Sequence, residues 1–339
     1  MPIIQSISRF LQSVQQPFVL LGHISHQKKF IKKNIGPLLA EAKNAADGSL
    51  DETDYKKITG YYGLAVPAVL GEAFCALHGT EMTKKERLAS TCQGAMTGLG
   101  DDFFDKQRLS EQGVKDFIEK PEAFAGKSAS EKLFLYFYKS ALTNAPQAVQ
   151  MQQQIYKVFQ AQLLSKQQDL PGLSYEVLKD ITIRKGAESL LYYRTAFEHP
   201  VKPGEEKMLY SLGGLMQLSN DIFDVYKDYK NGVITLITSA TTIKELRFYY
   251  SAVLQMGVEA ALRSGYPKNN VRKFLGLISI GIFSRCYVCL DQLEKLEKKT
   301  EAVFDLNAYS RKDLICDMDT VANKWKSLRY HIRLSRRFR

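Results

Sequence analysis

Apolar residues recur at steps of three and four along most of the chain, which is the period of one face of an α-helix. The pattern is clearest in SEKLFLYFYKSAL, SYEVLKDITIRKGAESLLYYRTAF and EEKMLYSLGGLMQLSNDIFDVYKDY. Strict alternation of apolar and polar residues, which is typical of half-buried β-strands, is scarce. The hydrophobic pattern therefore predicts a series of long amphipathic or buried helices.

Short clusters of glycine, proline and helix-capping Ser, Thr or Asp separate these stretches, as in AADGSLDET, KPEAFAGKSAS, QQDLPGLS, EHPVKPGEE and KNGVITLITSATT. They divide the chain into roughly ten or more helices joined by short loops. No linker is long or biased in composition, and no internal repeat is visible. We expect a single all-α helical bundle over residues 1–339, with a basic C-terminal tail at about 331–339.

The composition is that of an ordinary globular protein, with 45% hydrophobic and 24% charged residues in a chain of 339. Charge-free apolar runs such as YYGLAVPAVLG and FLGLISIGIFS are 11 residues long, whereas about 20 are needed to cross a bilayer. The N-terminal sequence has no cationic region ahead of an apolar segment, unlike a secretory signal. We therefore expect a soluble, cytoplasmic protein.

Five cysteines, an odd number, favour a reducing compartment over a disulfide framework. Cys286 and Cys289 form a CxxC pair, but no second pair or histidine follows at zinc-site spacing, so we interpret them as packed thiols. The formal charge of +11 would suit nucleic acid, an anionic membrane surface or a polyphosphate substrate. Charge alone does not choose among these partners.

An acidic stretch, GDDFFDK at residues 100–106, follows a glycine-rich apolar run. Asp101 and Asp105 are four residues apart, so on a helix their carboxylates lie one turn apart and repel each other. A Mg²⁺ ion would make the pair favourable, because it binds oxygen ligands and completes its shell with water and substrate phosphate. The alternative is a solvated, Asp-rich helix end.

A second polar stripe lies in LSNDIFDVYKDYKNG, where Asn220, Asp224 and Asp228 recur at steps of four. On one helix these side chains fall within about 80° of arc and offer only oxygen ligands. An ordinary exposed polar stripe is the alternative, but it does not explain an asparagine in register with both aspartates after the uncharged run LYSLGGLMQLS. The pairing of two such stripes favours a metal site.

Two lysines and three apolar residues surround the second stripe. Lys227 and Lys230 flank the last aspartate, where they could neutralise phosphate oxygens. Ile222, Phe223 and Val225 lie between the polar positions and predict a buried opposite side. The sequence therefore predicts a helix that is fixed in a core and presents a wet, chelating edge.

An all-α chain of this length, with DDFFD on one helix and NDIFDVYKD 119 residues later, resembles the class I terpene synthases and the related trans-prenyltransferases. The first stretch matches the DDxxD motif of that family at all three positions. The second matches the pattern N-D-x-x-(S/T/D)-x-x-x-(E/D), with Asn220, Asp224 and Asp228 at the ligand positions. Two of these three ligands depart from the commoner Ser and Glu.

The resemblance implies the isoprenoid synthase type of fold, a helical bundle around a central active-site cavity. Two acidic walls would hold three Mg²⁺ ions through Asp101, Asp105, Asn220, Asp224 and Asp228. The implied activity is that of a class I terpene synthase. Such an enzyme ionises a linear isoprenoid diphosphate of fifteen to twenty-five carbons, releases diphosphate and forms a terpene hydrocarbon or alcohol through carbocations. The implied partner is this substrate rather than nucleic acid, and a homodimer is possible.

The 18 Tyr and 18 Phe residues suit this chemistry, because ring faces attract a carbocation and an apolar pocket shields it from water. Most of these rings are expected in the ordinary core. Candidates for the pocket wall are Phe103, Phe104, Tyr61, Tyr62, Tyr192 and Tyr193.

Basic residues are expected to bind the diphosphate beside Lys227. Arg184 and Lys185 precede Gly186 in TIRKGAES, where we expect a helix kink, and this segment resembles the diphosphate-sensing arginine region of the family. Arg329 and Tyr330 in WKSLRYHIRLSRR resemble the Arg-Tyr pair of bacterial terpene cyclases. Alternatively, Arg329 belongs to a solvated basic helix end, which would allow at most peripheral contact with an anionic membrane.

Other members of the superfamily fit less well. Chain-elongating prenyltransferases carry a Gly-Lys-Arg stretch and an Arg-Arg pair after the first motif, whereas here only Lys106 and a lone Arg108 follow. The serious alternative is a head-to-head condensing enzyme of the squalene and phytoene type, which uses two DxxxD motifs. Asp101 with Asp105 and Asp224 with Asp228 both satisfy that spacing. Membrane-embedded aromatic prenyltransferases share NDxxDxxxD, but we expect no membrane spans. A hypothesis of another class is a nonenzymatic helical module whose acidic patches bind a partner or a structural cation.

Overall fold

The computed structural model describes residues 2–107, 110–301 and 303–338, and it describes the side chains of these residues outside 2–12 and 101–107. Helices account for 78% of the chain, and the described residues contain no β-strand. The all-α prediction is therefore confirmed. The isoprenoid synthase type of fold and its central cavity stay predictions.

Seventeen α-helical segments are present in the described part of the chain. They are α1 (Pro2–Asn34), α2 (Gly36–Ala45), α3 (Glu52–Lys56), α4 (Tyr62–Ala65), α5 (Glu72–His78), α6 (Lys84–Gln107), α7 (Glu111–Glu119), α8 (Ala129–Asn144), α9 (Ala148–Ser165), α10 (Tyr175–Arg194), α11 (Pro203–Phe223), α12 (Val225–Lys230), α13 (Ile243–Leu262), α14 (Lys268–Ile278), α15 (Ser284–Glu297), α16 (Arg311–Leu314) and α17 (Val321–Ser335). Three π-helical segments, Lys57–Tyr61, Val66–Gly71 and Ser279–Phe283, join α3 to α4, α4 to α5 and α14 to α15.

Several helices begin where the sequence predicted a break. Ser128 caps α8 by accepting a hydrogen bond from the backbone N–H of Glu131, and Thr242 caps α13 in the same way through Glu245. Such side-chain oxygens satisfy backbone donors that have no partner inside the helix. The capping residues in the predicted loops therefore set these helix boundaries.

The chain divides into two compact units. The first unit comprises Met1–Pro17, Lys157–Leu191 and Val201–Arg339, and the second comprises Phe18–Tyr156 and Tyr192–Pro200. The second acidic stripe belongs to the first unit, and the first acidic stretch belongs to the second unit. The single domain over residues 1–339 stays a prediction.

In the first unit, α11 packs against α13 and α15, and α15 also packs against α17. Met208, Leu212, Leu215 and Ile222 of α11 are fully buried at steps of three, four and seven residues. This spacing places them on one face of the helix. Burial of this face fixes α11, and with it the polar residues near its C-terminal end.

In the second unit, α6 packs lengthwise against α8 and also against α4. The approach to α4 is close, because a Cβ built on Gly94 would lie 2.4 Å from the backbone oxygen of Tyr62. Leu99 of α6 and Phe134 of α8 are buried in this core. The packing positions the C-terminal part of α6, which carries Asp101 and Asp105.

Two helical stretches, Glu52–His78 and Lys268–Glu297, are long and apolar enough to cross a membrane by length and composition. These stretches are longer than the charge-free runs in the sequence, because each of them includes a few charged residues. Most of each stretch is buried inside the protein, as in the core helices of soluble proteins. They are therefore weak evidence for membrane spans.

The cysteines, all five among the described residues, are buried thiols. Cys286 and Cys289 are fully buried on α15. In the described residues, no group of three or more His, Cys, Asp or Glu side chains could hold a metal ion. The burial of both free thiols agrees with the interpretation of the CxxC pair as packed side chains.

Candidate functional site

The second acidic stripe lies at the junction of α11 and α12. The sequence predicted one helix through all three polar residues, but α11 ends at Phe223 and Asp224 has φ −89° and ψ 8°. The backbone N–H of Asp224 donates to Asn220 O at 2.9 Å, and that of Asp228 donates to Asp224 O at 2.9 Å. The one-turn spacing of Asn220, Asp224 and Asp228 is therefore kept across the helix break.

The three predicted ligands differ in exposure. Asn220 is exposed, whereas Asp224 and Asp228 are half-buried. On the other side of the stripe, Ile222 and Val225 are fully buried. The predicted burial is confirmed for Ile222 and Val225, whereas Phe223 is only half-buried. The chelating role of the polar edge stays a prediction.

Asp221 is a member of the site that the sequence reasoning missed. It is only 6% exposed, and its carboxylate accepts a hydrogen bond from Gln217 Nε2 at 2.8 Å. Thr182 Oγ1 of α10 lies 3.5 Å from its second oxygen. Gln217 precedes Asp221 by four residues, and this i, i+4 pair of a Gln and an Asp was the available sequence signal.

The three aspartates of the motif share an environment that disfavours their charged forms. Burial raises the pKa of Asp221 to about 7, and the negative charges of Asp228 and Asp224 raise it further. The hydrogen bond from Gln217 and the positive charge of Lys185 act in the opposite direction. Burial and the charge of Asp224 raise the pKa of Asp228 to about 6. Burial also raises the pKa of Asp224. A cation bound among these carboxylates would offset this repulsion. Their positions do not by themselves form such a site, because no group of three or more acidic, His or Cys side chains among the described residues is arranged to hold a metal ion.

Two of the predicted phosphate-binding lysines lie beside this acidic cluster of Asp221, Asp224 and Asp228. Lys227 Nζ is 3.9 Å from Asp224 Oδ2. The positive charge of Lys185 on α10 lowers the pKa of both Asp221 and Asp228. Lys227 is thus beside one carboxylate of the cluster, and Lys185 is near enough for its charge to affect two of them.

Arg184, the neighbour of Lys185, points in another direction. Its Nη2 lies 3.6 Å from Asp180 Oδ2 in an exposed ion pair along α10. It also interacts with the hydroxyl of Tyr210, whose pKa is raised mainly by burial. The predicted role of Arg184 in diphosphate binding stays a prediction, and in this structure its guanidinium has other partners.

Gly186 was predicted to kink its helix, but the helix does not break there. The helix α10 runs without interruption from Tyr175 to Arg194. Gly186 instead permits contact with α11, because a Cβ at this position would lie 2.1 Å from Gly213 O. A Cβ on Gly214 would likewise lie 2.5 Å from Ile183 Cδ1. The glycines bring Lys185 close to the acidic cluster.

Tyr330 and Arg329 lie on different sides of α17. Tyr330 donates a hydrogen bond to Asp291 Oδ1 of α15 at 2.7 Å, and its ring stacks on Tyr287 with centroids 5.1 Å apart. Arg247 of α13 also donates to Asp291, at 2.7 Å. Arg329 is exposed. Their joint action on a diphosphate stays a prediction.

The first acidic stretch lies near the C-terminal end of α6. The side chains of Asp101 and Asp105, and those of the pocket candidates Phe103 and Phe104, lie outside the described residues. The predicted meeting of the two acidic stretches therefore stays a prediction.

The four tyrosines predicted for the pocket wall behave differently. Tyr61 is 70% exposed and Tyr62 is 37% exposed, so neither lines an enclosed pocket. Tyr192 and Tyr193 are buried, and they face α6: Tyr192 OH donates to Met96 Sδ at 3.0 Å and Tyr193 OH lies 3.0 Å from Thr97 Oγ1. Both contacts lie about one turn before the first acidic stretch.

Comparison of the chain with protein-family models, curated proteins and solved structures finds no match in any of the three. The function is therefore argued from the residues of this chain.

Proposed function

We propose that the protein is a Mg²⁺-dependent class I terpene synthase acting on a linear isoprenoid diphosphate. The observation that carries the proposal is the cluster of Asp221, Asp224 and Asp228, with raised pKa values, next to Lys185 and Lys227. Carboxylates that repel each other favour a divalent cation, and lysines beside them favour the phosphate oxygens that such a cation also binds.

The donor set fits magnesium, because it consists only of carboxylate and amide oxygens. Asn220, Asp224 and Asp228 would hold a metal ion at the second acidic stripe. Asp101 and Asp105 of the first acidic stretch stay predicted ligands. When bound, the metal would act as a Lewis acid on the diphosphate oxygens. Asp221 already has hydrogen-bond partners, so we assign it a positioning role toward Lys185.

The reaction breaks the bond between the allylic carbon and the diphosphate oxygen, and the electron pair leaves with diphosphate. Lys185 and Lys227 would stabilise the negative charge of this leaving group. The remaining carbocation then loses a proton to give a hydrocarbon or is captured by water to give an alcohol. Aromatic ring faces would stabilise such a cation.

The decisive experiment incubates the purified protein with Mg²⁺ and farnesyl, geranylgeranyl or geranylfarnesyl diphosphate and analyses the extract by gas chromatography and mass spectrometry. We expect a terpene hydrocarbon or alcohol with at least one substrate, and none when EDTA replaces Mg²⁺. Longer diphosphates, formed when isopentenyl diphosphate is added, would instead identify a prenyltransferase. A product joined from two substrate molecules would identify a squalene or phytoene synthase-like enzyme.

Variants test the assignment of residues. Asp224→Asn and Asp228→Asn should each lower turnover by about a hundredfold or more, because each removes a charged metal ligand. Asp319→Asn is the matched control, since this aspartate has a side chain that is 96% exposed and pairs only with Lys324 among the ion pairs of the described residues. Absence of turnover with every substrate, together with no effect of Mg²⁺ on the melting temperature, would favour the nonenzymatic module.

A further inference from the structure

The outer face of α17 combines apolar and basic side chains. Val321 is 85% exposed and Trp325 is 60% exposed, although large apolar side chains on a helix usually face the core. At about 100° per residue, these two positions share an arc of about 120° with four others. The members of this arc, which we call the α17 face, are Val321, Trp325, Arg329, Ile332, Arg333 and Arg336.

The opposite side of the helix is fixed in the protein. Ser327, His331 and Leu334 are buried, and they lie on the side of the helix away from the α17 face. His331 Nδ1 lies 3.2 Å from Ser279 Oγ, and Ser327 Oγ lies 2.8 Å from Ser284 Oγ. The helix therefore cannot turn its exposed apolar residues inward without breaking these contacts.

The charge around the α17 face has one sign. From residue 320 to 338 the sequence contains six Lys and Arg and no Asp or Glu. The nearest acidic residues, Asp317 and Asp319, precede the helix, and Asp319 pairs with Lys324 at 3.5 Å. A second copy of this face would bring like charges together, so the face is suited to an anionic partner.

We propose that the α17 face docks on an anionic lipid surface, with Trp325 at the level of the headgroups. Tryptophan favours this interfacial depth, where its ring is partly apolar and its N–H stays hydrated. The arginines reach lipid phosphates while their stems lie along the apolar boundary. The aliphatic Val321 and Ile332 favour lipid over nucleic acid, which would use only the basic side chains and the ring.

This docking goes beyond the proposed enzyme activity and does not depend on it, because binding to vesicles is measured without substrate or Mg²⁺. If the protein binds vesicles but shows no turnover, the docking proposal holds and the proposed function is wrong. If it shows turnover but does not bind vesicles, the proposed function holds and the docking proposal is wrong.

The chain supplies its own probe, since Trp325 is its one tryptophan. The full-length protein is titrated with vesicles of phosphatidylcholine alone or of phosphatidylcholine with 30 mol% phosphatidylserine, a fraction of about one third chosen to approximate an anionic leaflet. We expect a blue shift of the fluorescence and quenching by brominated acyl chains only with the anionic vesicles. Added salt should reverse binding. An unshifted spectrum with anionic vesicles would overturn the proposal.

Charge variants locate the surface. Arg333→Gln combined with Arg336→Gln should weaken binding to anionic vesicles by roughly 10- to 30-fold, because each basic residue near the surface contributes about fivefold. The control is Lys84→Gln with Lys85→Gln, which removes the same charge from an exposed first turn of α6. Circular dichroism confirms that both variants are folded. Equal weakening in both would show general charge attraction and overturn the assignment to α17.

Two further measurements separate the alternatives. Trp325→Ala should weaken sedimentation with anionic vesicles about tenfold or more, since it removes the buried ring but no charge. Single-stranded RNA is the rival anion. If RNA shifts the Trp325 spectrum and anionic vesicles do not, the face binds nucleic acid and the lipid proposal is wrong.

Discussion

The hydroxyl of Tyr330 donates a hydrogen bond of 2.7 Å to Asp291, and this bond joins α17 to α15. Arg247 of α13 approaches the same carboxylate and also forms an ion pair with Glu294. Its guanidinium lies 5.7 Å from the centre of the Tyr287 ring, on which Tyr330 stacks. Three helices of the first unit thus meet at one half-buried polar cluster.

Tyr330→Phe should lower the free energy of unfolding by about 0.5 to 1.5 kcal/mol, because the hydrogen bond is lost while the ring stacking is kept. Urea unfolding measures this change. Tyr61→Phe is the control, since Tyr61 is 70% exposed and its substitution should have little effect. If Tyr330 also contacts the diphosphate during turnover, Tyr330→Phe will raise KM. An unchanged KM would restrict Tyr330 to a structural role.

Asp221 should make the protein less stable as the pH rises. Its pKa is raised from 3.8 to about 7 by burial, so the folded state holds its proton more tightly than the unfolded state. Stability associated with this proton is present at low pH and is lost between about pH 4 and pH 7. In EDTA, Asp221→Asn should therefore be more stable than the wild type at pH 8, by roughly 2 to 4 kcal/mol, and about equal to it at pH 4.

Urea unfolding of both proteins at several pH values tests this dependence. Asp180→Asn serves as a control, because its carboxylate lies on an exposed part of α10. A constant difference between Asp221→Asn and the wild type across the pH range would contradict the raised pKa. Repeating the titration with Mg²⁺ should reduce the difference if the cation binds beside Asp221.

Alanine at Gly213 should destabilise the protein by about 1 to 3 kcal/mol or more, because its Cβ would lie 2.5 Å from Gly186 O and neither backbone can move easily. Gly22→Ala is the matched control: Gly22 lies on an exposed turn of α1, and a Cβ there would meet no atom within 4 Å. It should stabilise the helix by about 0.5 to 1 kcal/mol. Thermal unfolding should therefore show a lower melting temperature for Gly213→Ala and a higher one for Gly22→Ala.

Cys316 should react first with iodoacetamide in the native protein, because at 8% exposed it is the most accessible of the five buried thiols. A hydrogen bond from Cys289, with help from the charges of Lys326 and Arg285, lowers the pKa of its thiol. By contrast, burial raises the pKa of Cys92 and that of Cys286 to about 12. Because the thiolate is the reactive form, peptide mass spectrometry should find early labelling at Cys316.

Two serine variants check the labelling. Cys316→Ser should remove the fast phase, whereas Cys92→Ser should leave it unchanged. Equal rates at all five cysteines would mean that the reagent samples unfolded molecules, and the proposed difference in thiol pKa would then be wrong.

Periodicity and capping residues were enough to predict the all-α class and several helix starts, because both signals act within a few residues of each other in sequence. Thr242, for example, caps α13 through a donor three residues away. The polar edge at Asp224 and the buried side at Ile222 and Val225 could also be predicted, because they depend only on spacing within one stretch of sequence. Local spacing determines which face of a helix a residue occupies.

Features that depend on a partner helix were not predictable in the same way. Gly186 was expected to bend α10, but its role depends on Gly213, which is distant in sequence and adjacent in space. Asp221 was passed over because its burial depends on Thr182 and on the packing of α10. The spacing of four residues pointed to Asn220, which is exposed. It did not point to the neighbouring Asp221, whose pKa is raised the most among these aspartates.

The crossing at Gly186 and Gly213 also limits how α10 can be placed along α11. Sliding α10 by one turn, about 5.4 Å, would bring Thr182 or Leu190 to the position of Gly186. Neither side chain fits where even a single Cβ would lie 2.1 Å from a carbonyl oxygen. The two helices can therefore assemble in only one register, and this register sets how far the charge of Lys185 lies from the carboxylates of Asp221 and Asp228, whose pKa values it lowers.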